Sequence, residues 1–506
     1  MPEETGEHFV ADQTGLIDFS GANLTPNLQQ NIDLFHQILS GDDTAIFRPV
    51  QSAADARIRC CVIFVDGMTD TLVMNESIFQ PITVSPPAGP EENLLEFVKD
   101  RVIASNEIQE SGSVADLVAA ILYGDTLVLV EGQTQGIIVN TKGFPLRGVS
   151  EPDDEKSLSG PREGFTEGIL KNLAMLRRKL QTSDLKIAYQ KIGSRTGTKL
   201  ALCYLNSLAD PQVLAEIKAR LQKINVDGIL DVNQICERIK DHRLSIFKTI
   251  GTTEKPDIVA ARLLEGRVAL FLDGTPMVLT MPYLLVESFQ ATDDYYLNFH
   301  YANIGRRMRL LAFLIATGLP ALYVALTAFQ QEMLPTSLML SIAAAAKGVP
   351  FPTFAEAFGM LGIFEILQET GLRMPNKFGQ ALSIVGALVI GQAGVEAKIA
   401  SAPMVIIVAA SGITGLMLPR LKGAVILVRF GCLAAASVIG LYGYYFVMLG
   451  VFLYLLSMRS FGRDYTAGFL SFKWQDVKDA YLRAPYRHMK TRPRGMARDF
   501  IREKEE

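Results

Sequence analysis

The pattern of apolar and polar positions divides the chain into two parts. Up to about Asn303, apolar runs of strand length alternate with amphipathic stretches of helical length, and charged residues are frequent. From Leu310 to Met458 there is no Asp or His and only five Glu, and long uncharged runs take over. The pattern predicts a soluble α/β (α+β) N-terminal region followed by an all-α multi-span membrane domain.

The soluble region contains a repeated order of elements. An apolar strand in 60–70 (CCVIFVDGMTD) corresponds to one in 200–210 (LALCYLNSLAD), and a strand–turn–strand pattern in 125–139 corresponds to one in 267–279. Helical patterns lie between these paired elements, at Glu91–Ser105 and Val114–Tyr123 in the first copy and at Pro211–Lys223 and Val232–Lys240 in the second. The sequence therefore predicts two similar α/β subdomains.

Six segments follow from these patterns. The N-terminal segment, 1–57, starts with polar and acidic residues that do not resemble a signal peptide, so we expect a disordered start and a cytoplasmic soluble region. The others are a first α/β subdomain (58–148), a linker and helix (149–197), a second α/β subdomain (198–300), a helical transmembrane domain (301–458) and a basic cytoplasmic tail (459–506). The basic run Arg177-Arg178-Lys179 in the linker helix predicts a solvated face, with a contact to a membrane or partner as the alternative.

Four uncharged stretches reach the length of about 18 residues that a membrane span needs. They are Leu310–Phe329, Phe378–Val395, Ile399–Leu418 and Phe430–Met458, and the last could be one tilted span or a re-entrant piece plus a span. Basic residues before the first stretch and after the last predict that both flanks are cytoplasmic. The number of spans is then even, four or six. Arg420, Lys422 and Arg429 would lie at the outer side, which the positive-inside rule disfavours.

The stretch Met333–Leu367, between the first two spans, predicts a re-entrant or interfacial helical hairpin, with a plain extracytoplasmic loop as the alternative. Its candidate gating residues are Pro335, Lys347, Pro350, Pro352, Glu356 and Glu365. Small residues in Gly386–Gly394 allow close helix approach, which usually means packing. Glu396 and Lys398 lie beside a span, where ionisable residues are functional candidates, although a tight interfacial turn is an equal alternative.

Sequence motifs for catalysis are missing. The chain has no P-loop, GxGxxG, GxSxG or HExxH pattern, and its five cysteines and five histidines have no metal-ligand spacing. Asp66, Asp70 and Asp273 at strand ends are best interpreted as turn residues. Basic residues do not interleave with aromatics as in nucleic-acid-binding proteins. We therefore expect a receptor, channel or transporter component rather than an enzyme, with no cofactor, metal or nucleic-acid partner.

Short motifs from about Gly160 to Ser471 match a known family. The motifs are Gly160-Pro161-Arg162, Glu254-Lys255-Pro256-Asp257, Gly266-Arg267-Val268-Ala269, Asp293-Asp294-Tyr295-Tyr296, Leu334-Pro335-Thr336, Val349-Pro350-Phe351-Pro352, Glu369-Thr370-Gly371-Leu372-Arg373-Met374-Pro375-Asn376, Gly391-Gln392-Ala393, Val395-Glu396-Ala397 and Gly440-Leu441-Tyr442-Gly443. In these the chain resembles the A subunit of GerA-type germinant receptors of endospore-forming bacteria. They do not separate that subunit from its close paralogue, the SpoVAF-type protein, which acts beside the dipicolinate-release machinery.

The resemblance implies signal transduction in germination from a multi-pass location in the spore inner membrane. It implies as partners a transporter-like B subunit that holds the germinant and a C-subunit lipoprotein. It also implies a homo-oligomeric ring of A subunits, proposed to be a channel for monovalent cations. In such a ring the candidate pore-lining residues are Gly386, Val389, Gln392 and Glu396. The alternatives are a SpoVAF-type accessory channel, a secondary transporter component and a non-conducting scaffold.

Overall fold

A computed structural model describes residues 19, 21–85, 93–105, 107–143, 155, 159–373, 389, 391–469, 478–479, 482–492, 496–499 and 501–502. The chain forms two compact units. The first, here called the α/β unit, comprises Met1–Asp241, Ile250–Pro282 and Tyr486–Glu506. The second, here called the helical unit, comprises His242–Thr249 and Tyr283–Pro485. The predicted tail, 459–506, is therefore divided between the two units.

The first α/β subdomain contains a five-stranded antiparallel sheet with the order β1-β2-β4-β5-β3. Its strands are β1 (Ala45–Gln51), β2 (Arg59–Val65), β3 (Ile108–Ser111), β4 (Thr126–Val130) and β5 (Gly136–Val139). Its helices are α1 (Leu28–Ile38), α2 (Thr71–Met74), α3 (Gln80–Val84), α4 (Leu94–Phe97) and α5 (Val114–Tyr123), with π-helical turns at Asn75–Phe79 and Val98–Val102.

Both faces of this sheet are covered, which explains the uninterrupted apolar run in β2. Cys60, Val62 and Phe64 face the core under the helical turns between Thr71 and Val102. The alternate residues Cys61 and Ile63 face the core under α1 and α5. Successive side chains on a strand point to opposite faces, so a strand buried on both sides is apolar at every position.

The second subdomain repeats the first. Its strands are β6 (Leu185–Ile192), β7 (Thr198–Leu205), β8 (Gly251–Thr253), β9 (Val268–Leu272) and β10 (Val278–Met281), in the equivalent order β6-β7-β9-β10-β8. Its helices are α6 (Ile169–Lys179), α7 (Pro211–Gln222), α8 (Val232–Ile239) and α9 (Pro256–Leu264). The prediction of two similar α/β subdomains is confirmed. Each sheet starts with an edge strand that lies before the predicted start of its subdomain. Strand β1 precedes residue 58, and strand β6 precedes residue 198.

Helix α6 contributes to both cores. Its Leu173 and Leu176 pack in the core of the second subdomain, whereas Ala174 packs in the core of the first. Arg177, also on α6, is only 1% exposed and forms an ion pair of 2.5 Å with Asp42, which lies between α1 and β1. The prediction of a solvated basic face is therefore wrong at Arg177, because an acidic partner distant in sequence compensates its charge inside the unit.

The thiols of Cys60 and Cys61 allow a test of the first core. Each residue is 1% exposed. Burial raises the pKa of Cys60 to about 12 and that of Cys61 to about 11. Because the thiolate is the reactive species, we expect iodoacetamide at about pH 8 to leave both thiols unlabelled in native protein and to label them on unfolding. Mass spectrometry of alkylated peptides along a urea series measures this, and ready labelling without urea would contradict it.

The raised pKa values of Cys60 and Cys61 also determine the direction in which the free energy of unfolding changes with pH. In the unfolded chain the thiols lose their protons near the ordinary pKa of 9.0, before the folded chain does. Their contribution is thus fully present below that pH and decreases as the pH rises toward about 11 to 12.

The helical unit is built mainly from long apolar helices. A short polar helix, α10 (Asp293–Tyr296), comes first, and the apolar helices are α11 (Phe299–Ala328), α12 (Thr336–Ala346), α13 (Thr353–Arg373), α14 (Ala402–Leu416), α15 (Lys422–Ile439) and α16 (Leu441–Ser457). A two-stranded ribbon follows, β11 (Arg459–Ser460) with β12 (Arg463–Asp464). Among the residues that the structure describes, two helical stretches are long and apolar enough to cross a membrane, Phe299–Ala328 and Pro419–Ile439. The predicted span Leu310–Phe329 is the later part of α11.

The stretch Phe430–Met458 is not one continuous helix. It divides at Gly440, where φ is 65° and ψ is −140°, into the end of α15 and all of α16. A Cβ at Gly440 would lie 2.6 Å from Oε1 of Gln330 and 2.8 Å from Cβ of Phe329, so only glycine fits this break. The predicted span Ile399–Leu418 corresponds to α14, and most of Phe378–Val395 lies outside the described residues.

Candidate functional site

A buried arginine lies in the middle of α15. Arg429 is 2% exposed. Its Nε donates to the carbonyl oxygen of Ala316 on α11 (2.7 Å), its Nη1 to Oε1 of Glu365 on α13 (2.8 Å), and its Nη2 to the carbonyl oxygen of Ser411 on α14 (3.2 Å). One guanidinium therefore joins four helices through three directed hydrogen bonds, which a lysine ammonium could not reproduce. We call Arg429, Glu365, Ser411 and Ala316 the arginine cluster.

A proline in α11 makes the Ala316 carbonyl available. Pro320 lies inside α11 and has no N–H, so Ala316, four residues earlier, lacks its helical donor. Arg429 takes that place, and the Oγ of Ser411 also donates to the same oxygen at 2.9 Å. A break in one helix ladder thus provides the acceptor that a charged side chain needs among apolar helices.

Small residues let α14 approach this cluster. A Cβ at Gly412 would overlap the ring of Phe364 on α13, and a Cβ at Gly415 would lie 3.0 Å from Nη2 of Arg429. The small-residue stretch Ser411–Gly415 therefore serves close packing.

A second carboxylate of α13 is tied to the start of α14. Glu356 is buried, and its Oε1 accepts hydrogen bonds from both N and Oγ of Ser401 at 2.6 Å. Ser401 directly precedes α14, where a negative charge is favoured by the helix dipole and by N–H groups without helical acceptors. The two candidate acids of the predicted hairpin, Glu356 and Glu365, thus hold α13 at two separate points.

The other candidate gating residues lie at the turns of the hairpin in Met333–Leu367. Pro335 precedes the first residue of α12, Lys347 directly follows the last, and Pro350 and Pro352 lie exposed in the connection to α13. The structure therefore has a helix–turn–helix in Met333–Leu367. Helix α12 has no buried residue, and its neighbour within the unit is α14.

The pore-lining candidates are only partly described. Gly386 lies outside the described residues, and Val389 is exposed. Residues 391–396 are helical, and Nε2 of Gln392 donates to Oε1 of Glu396 at 3.0 Å, on an exposed surface. The Lys398 side chain lies beside the connection between α12 and α13, since a Cβ at Gly348 would be 3.1 Å from its Cδ.

The burial of Arg429 in the middle of α15 was not predicted from the sequence. The signal in the sequence was its position inside an otherwise apolar helical run, together with a proline in another apolar run. Ser401 and Ser411 were missed because they bond to residues distant in the sequence, and Pro320 because the carbonyl it frees, that of Ala316, is filled by the distant Arg429.

Charges also meet at the start of α11. Nε of Arg306 lies 3.1 Å from Oδ2 of Asp294, and its Nη1 lies 3.0 Å from Oδ1 of Asp479. Arg309 pairs with the same Asp294 oxygen at 2.5 Å. Arg306 and Arg309 are among the basic residues that precede the first predicted span, and Asp294 and Asp479 partly neutralise their charge. No group of three side chains suited to a metal ion occurs among the described residues.

The fold and the arginine cluster define the class of protein: its chain combines a duplicated α/β unit with a helical unit whose apolar helices are joined by buried charges. The chain belongs to the family described as Bacillus/Clostridium GerA spore germination protein, whose family model matches residues 33–495. The resemblance seen in the motifs is confirmed, and the match extends into the first subdomain.

Relatives in the family cover nearly the whole chain. The chain is 37% identical to spore germination protein KA of Bacillus subtilis (strain 168), over 94% of this chain and 88% of that one. It is 37% identical to the uncharacterized membrane protein YfkQ of the same strain, over 93% and 91%. It is 33% identical to that strain's spore germination protein B1, over 94% and 99%.

A solved structure is also similar. It is the crystal structure of the N-terminal domain of the A subunit of the Bacillus megaterium spore germinant receptor GerK3. The match has 27% identity and a TM-score of 0.39, and it covers 52% of this chain and 98% of that one.

Proposed function

We propose that this chain is the A subunit of a nutrient germinant receptor in the spore inner membrane and that it transduces germinant binding as an oligomeric cation channel. Its partners are a transporter-like B subunit, which holds the germinant, and a C-subunit lipoprotein. The N-terminal region and the tail lie on the spore-core side. Family membership and the names of the relatives support the germination role.

The arginine cluster is the observation that carries the transduction step. Moving α13 away from α15 separates Glu365 from Arg429 and leaves both charges in apolar surroundings, which is costly. An intermediate arrangement is therefore disfavoured, and the helices have two states, cluster closed or cluster opened to water. Nutrient binding in the partner shifts this equilibrium by acting on the α12–α13 hairpin.

The pore lies where the identical chains of a ring meet, and Gln392 and Glu396 line its mouth. Both are exposed within one chain, as residues that face a pore must be. A ring of Glu396 carboxylates concentrates cations and repels anions. A SpoVAF-type accessory channel would use the same parts under a different trigger, whereas a scaffold or a transporter component would show no gated ohmic current.

Substitution of Glu396 tests the channel. In liposomes containing purified protein, with its partners where gating requires them, Glu396→Gln is expected to lower monovalent cation flux by about tenfold, because the local cation concentration falls when the carboxylates are neutralised. Glu332→Gln, at another exposed carboxylate of the helical unit, is the matched control and should leave the flux unchanged.

Two results would count against the proposal. Unchanged flux and selectivity in stable Glu396→Gln protein would remove Glu396 from the pore. Silence of the wild-type complex in the presence of nutrient would favour the scaffold.

A further inference from the structure

The helical unit has two ends that differ in chemistry. Near the start of α11, Arg306 pairs with Asp294 at 3.1 Å and with Asp479 at 3.0 Å. We call the end of the unit that contains these ion pairs the polar end. The last turn of α11 leads to Gln330, about 45 Å further along the helix axis at 1.5 Å per residue, and we call that end the opposite end.

Helix α15 runs in the same direction as α11. Just before α15 begins, Nη1 of Arg420 donates to the carbonyl oxygen of Glu287 (3.1 Å), which precedes α11. Where α15 ends, a Cβ at Gly440 would lie 2.6 Å from Oε1 of Gln330, which follows α11. Helix α15 therefore starts at the polar end and finishes at the opposite end.

Helix α16 returns to the polar end. Its first backbone N–H, that of Leu441, donates to Oε1 of Gln330 (3.1 Å) at the opposite end. After α16 has ended, Oγ of Ser460 accepts from the backbone N–H of Tyr283 (3.1 Å), which precedes α11. The 18 residues of α15 and the 17 of α16 are each about 26 Å long, close to the thickness of about 30 Å of a bilayer core.

Helix α13 also runs the length of the unit, antiparallel to α15. Glu365 of α13 bonds to Arg429 at 2.8 Å in the middle of α15. One turn further on, Glu369 lies 3.9 Å from Lys422, the first residue of α15. Helix α13 therefore approaches the polar end at its own end, and its first residue, Thr353, lies at the opposite end.

Helix α12 lies along the opposite end. It follows α11, which ends there, and precedes α13, which begins there. In the turn after α12, a Cβ at Gly348 would be 3.1 Å from Cδ of Lys398, which comes three residues before Ser401 and its bond to Glu356. The 11 residues of α12 make about 16 Å of helix, roughly half of what is needed to cross a bilayer core.

The surface of α12 is apolar and uncovered. None of its residues is buried, and Leu338 and Leu340 are 48% and 60% exposed. The hydroxyl of Ser341 donates to the carbonyl oxygen of Ser337 (2.9 Å), so it is satisfied without water. A folded protein partner would cover one side of such a helix, whereas lipid covers every side that α14 leaves open.

Exposed tyrosines at the same end mark a boundary between membrane and water. Tyr442 and Tyr445, in the first turns of α16, are 67% and 62% exposed. Tyrosine is enriched at membrane–water interfaces because its ring is apolar and its hydroxyl is polar. The charged residues that flank α12, Glu332 and Lys347, are also exposed, as expected at the level of lipid headgroups.

We propose that α12 is a lipid anchor, which lies in the bilayer leaflet at the opposite end of the helical unit with Leu338 and Leu340 among the acyl chains. The proposal rests on the membrane location proposed above but not on channel activity. It places Arg420 and Lys422 at the same end as Arg306, in agreement with the positive-inside rule, rather than at the outer side expected from four spans.

Quenching of tryptophan by brominated lipids tests the anchor in the full-length protein. The only native tryptophan is Trp474, so the probe Leu340→Trp is placed in a Trp474→Phe background. Bromine near the headgroups is expected to quench the probe by about twofold or more, because a helix inserted about 5–10 Å deep places its apolar side chains there. Bromine at the bilayer centre should quench it less. Leu338→Trp is a second probe of the same helix.

Two exposed leucines provide the controls. Leu314→Trp, midway along α11 and 46% exposed, should be quenched most strongly from the bilayer centre, and Leu230→Trp, 72% exposed in the α/β unit, should not be quenched. No quenching of Leu314→Trp would overturn the membrane location and the anchor with it. Quenching of Leu314→Trp but not of the α12 probes would overturn the anchor alone, and a disulfide between two copies through Leu340→Cys would then assign α12 to a contact between chains.

Labelling with a membrane-impermeant maleimide tests whether the two ends lie on different sides. In a Cys236→Ser background the four remaining cysteines are buried. In intact protoplasts that produce the full chain, Lys347→Cys is expected to be labelled, and Lys422→Cys only after lysis, because the polar end carries the arginines. Labelling of both positions, or of neither, in intact protoplasts would overturn the placement of α12.

Discussion

Replacement of Arg429 by methionine is expected to destabilise the helical unit by about 3–5 kcal/mol, the usual cost of removing one partner of a buried ion pair. The substitution leaves the Glu365 carboxylate without its cation and removes a donor from the Ala316 carbonyl. Methionine fills a similar volume, so loss of packing contributes little. The measurement is chemical or thermal unfolding of the purified protein in nanodiscs, with far-UV circular dichroism as the readout.

Two further variants separate the ion pair from the helix. Lys422→Met, in the first turn of the same helix, breaks only a half-exposed pair with Glu369 at 3.9 Å and should cost less than about 1 kcal/mol. The double variant Arg429→Met, Glu365→Met should recover most of the lost stability, because neither member of the ion pair is left without its partner. If Arg429→Met is no less stable than Lys422→Met, the cluster does not hold the helices together.

The double variant also distinguishes stability from signalling. Without the charges of Arg429 and Glu365, separating α13 from α15 no longer carries the free-energy cost of two unpaired charges. The two-state behaviour of the helices should therefore be lost. We therefore expect a stable protein that no longer responds to nutrient. A normal response in this variant would remove the arginine cluster from transduction.

Replacement of Arg177 by methionine has the second-largest expected effect. Arg177 and Asp42 are buried and join the two α/β subdomains, so loss of the arginine should cost about 3–5 kcal/mol in the α/β unit. The loop of Asp42 is also held by Asp43, whose N–H donates to the carbonyl oxygen of Ile187 on β6 at 2.8 Å. Weakening this contact should separate the unfolding of the two subdomains into two transitions.

Differential scanning calorimetry of the full chain measures this separation. Arg195→Met is the matched control, because Arg195 pairs with Asp227 at 3.2 Å on a fully solvated surface of the same unit and should have no measurable effect. A single unshifted transition in Arg177→Met would show that the apolar contacts of α6 suffice to join the subdomains.

Much of the α/β unit follows from local signals in the sequence. The Glu-Gly and Asp-Gly turns mark both central hairpins, and the repeated Asp70 and Asp210 cap the helices that follow the second strand of each sheet. The edge strands β1 and β6 were missed for a physical reason. Edge strands face solvent in part, so their side chains are mixed: β1 contains Arg48 and Pro49, and β6 contains two lysines.

The candidate site was less accessible to sequence reasoning. Glu356 and Glu365 were identified as candidates, but their partners Ser401 and Arg429 lie far along the chain, and periodicity carries no information on such pairs. The break at Gly440 depends on Phe329 and Gln330, which directly follow the end of α11. Arg177 was assigned to solvent because its run of basic residues is typical of exposed faces.

The proline in α11 has one further consequence. A carbonyl oxygen has two lone pairs, and at Ala316 one accepts from Nε of Arg429 and the other from Oγ of Ser411. Any residue with an N–H at position 320 would bring a third donor to an acceptor that is already saturated. Proline at position 320 therefore leaves the Ala316 carbonyl without a donor from α11 itself, and side chains of α14 and α15 donate to it instead. The residue at 320 thus decides whether this carbonyl is bonded within α11 or by the neighbouring helices.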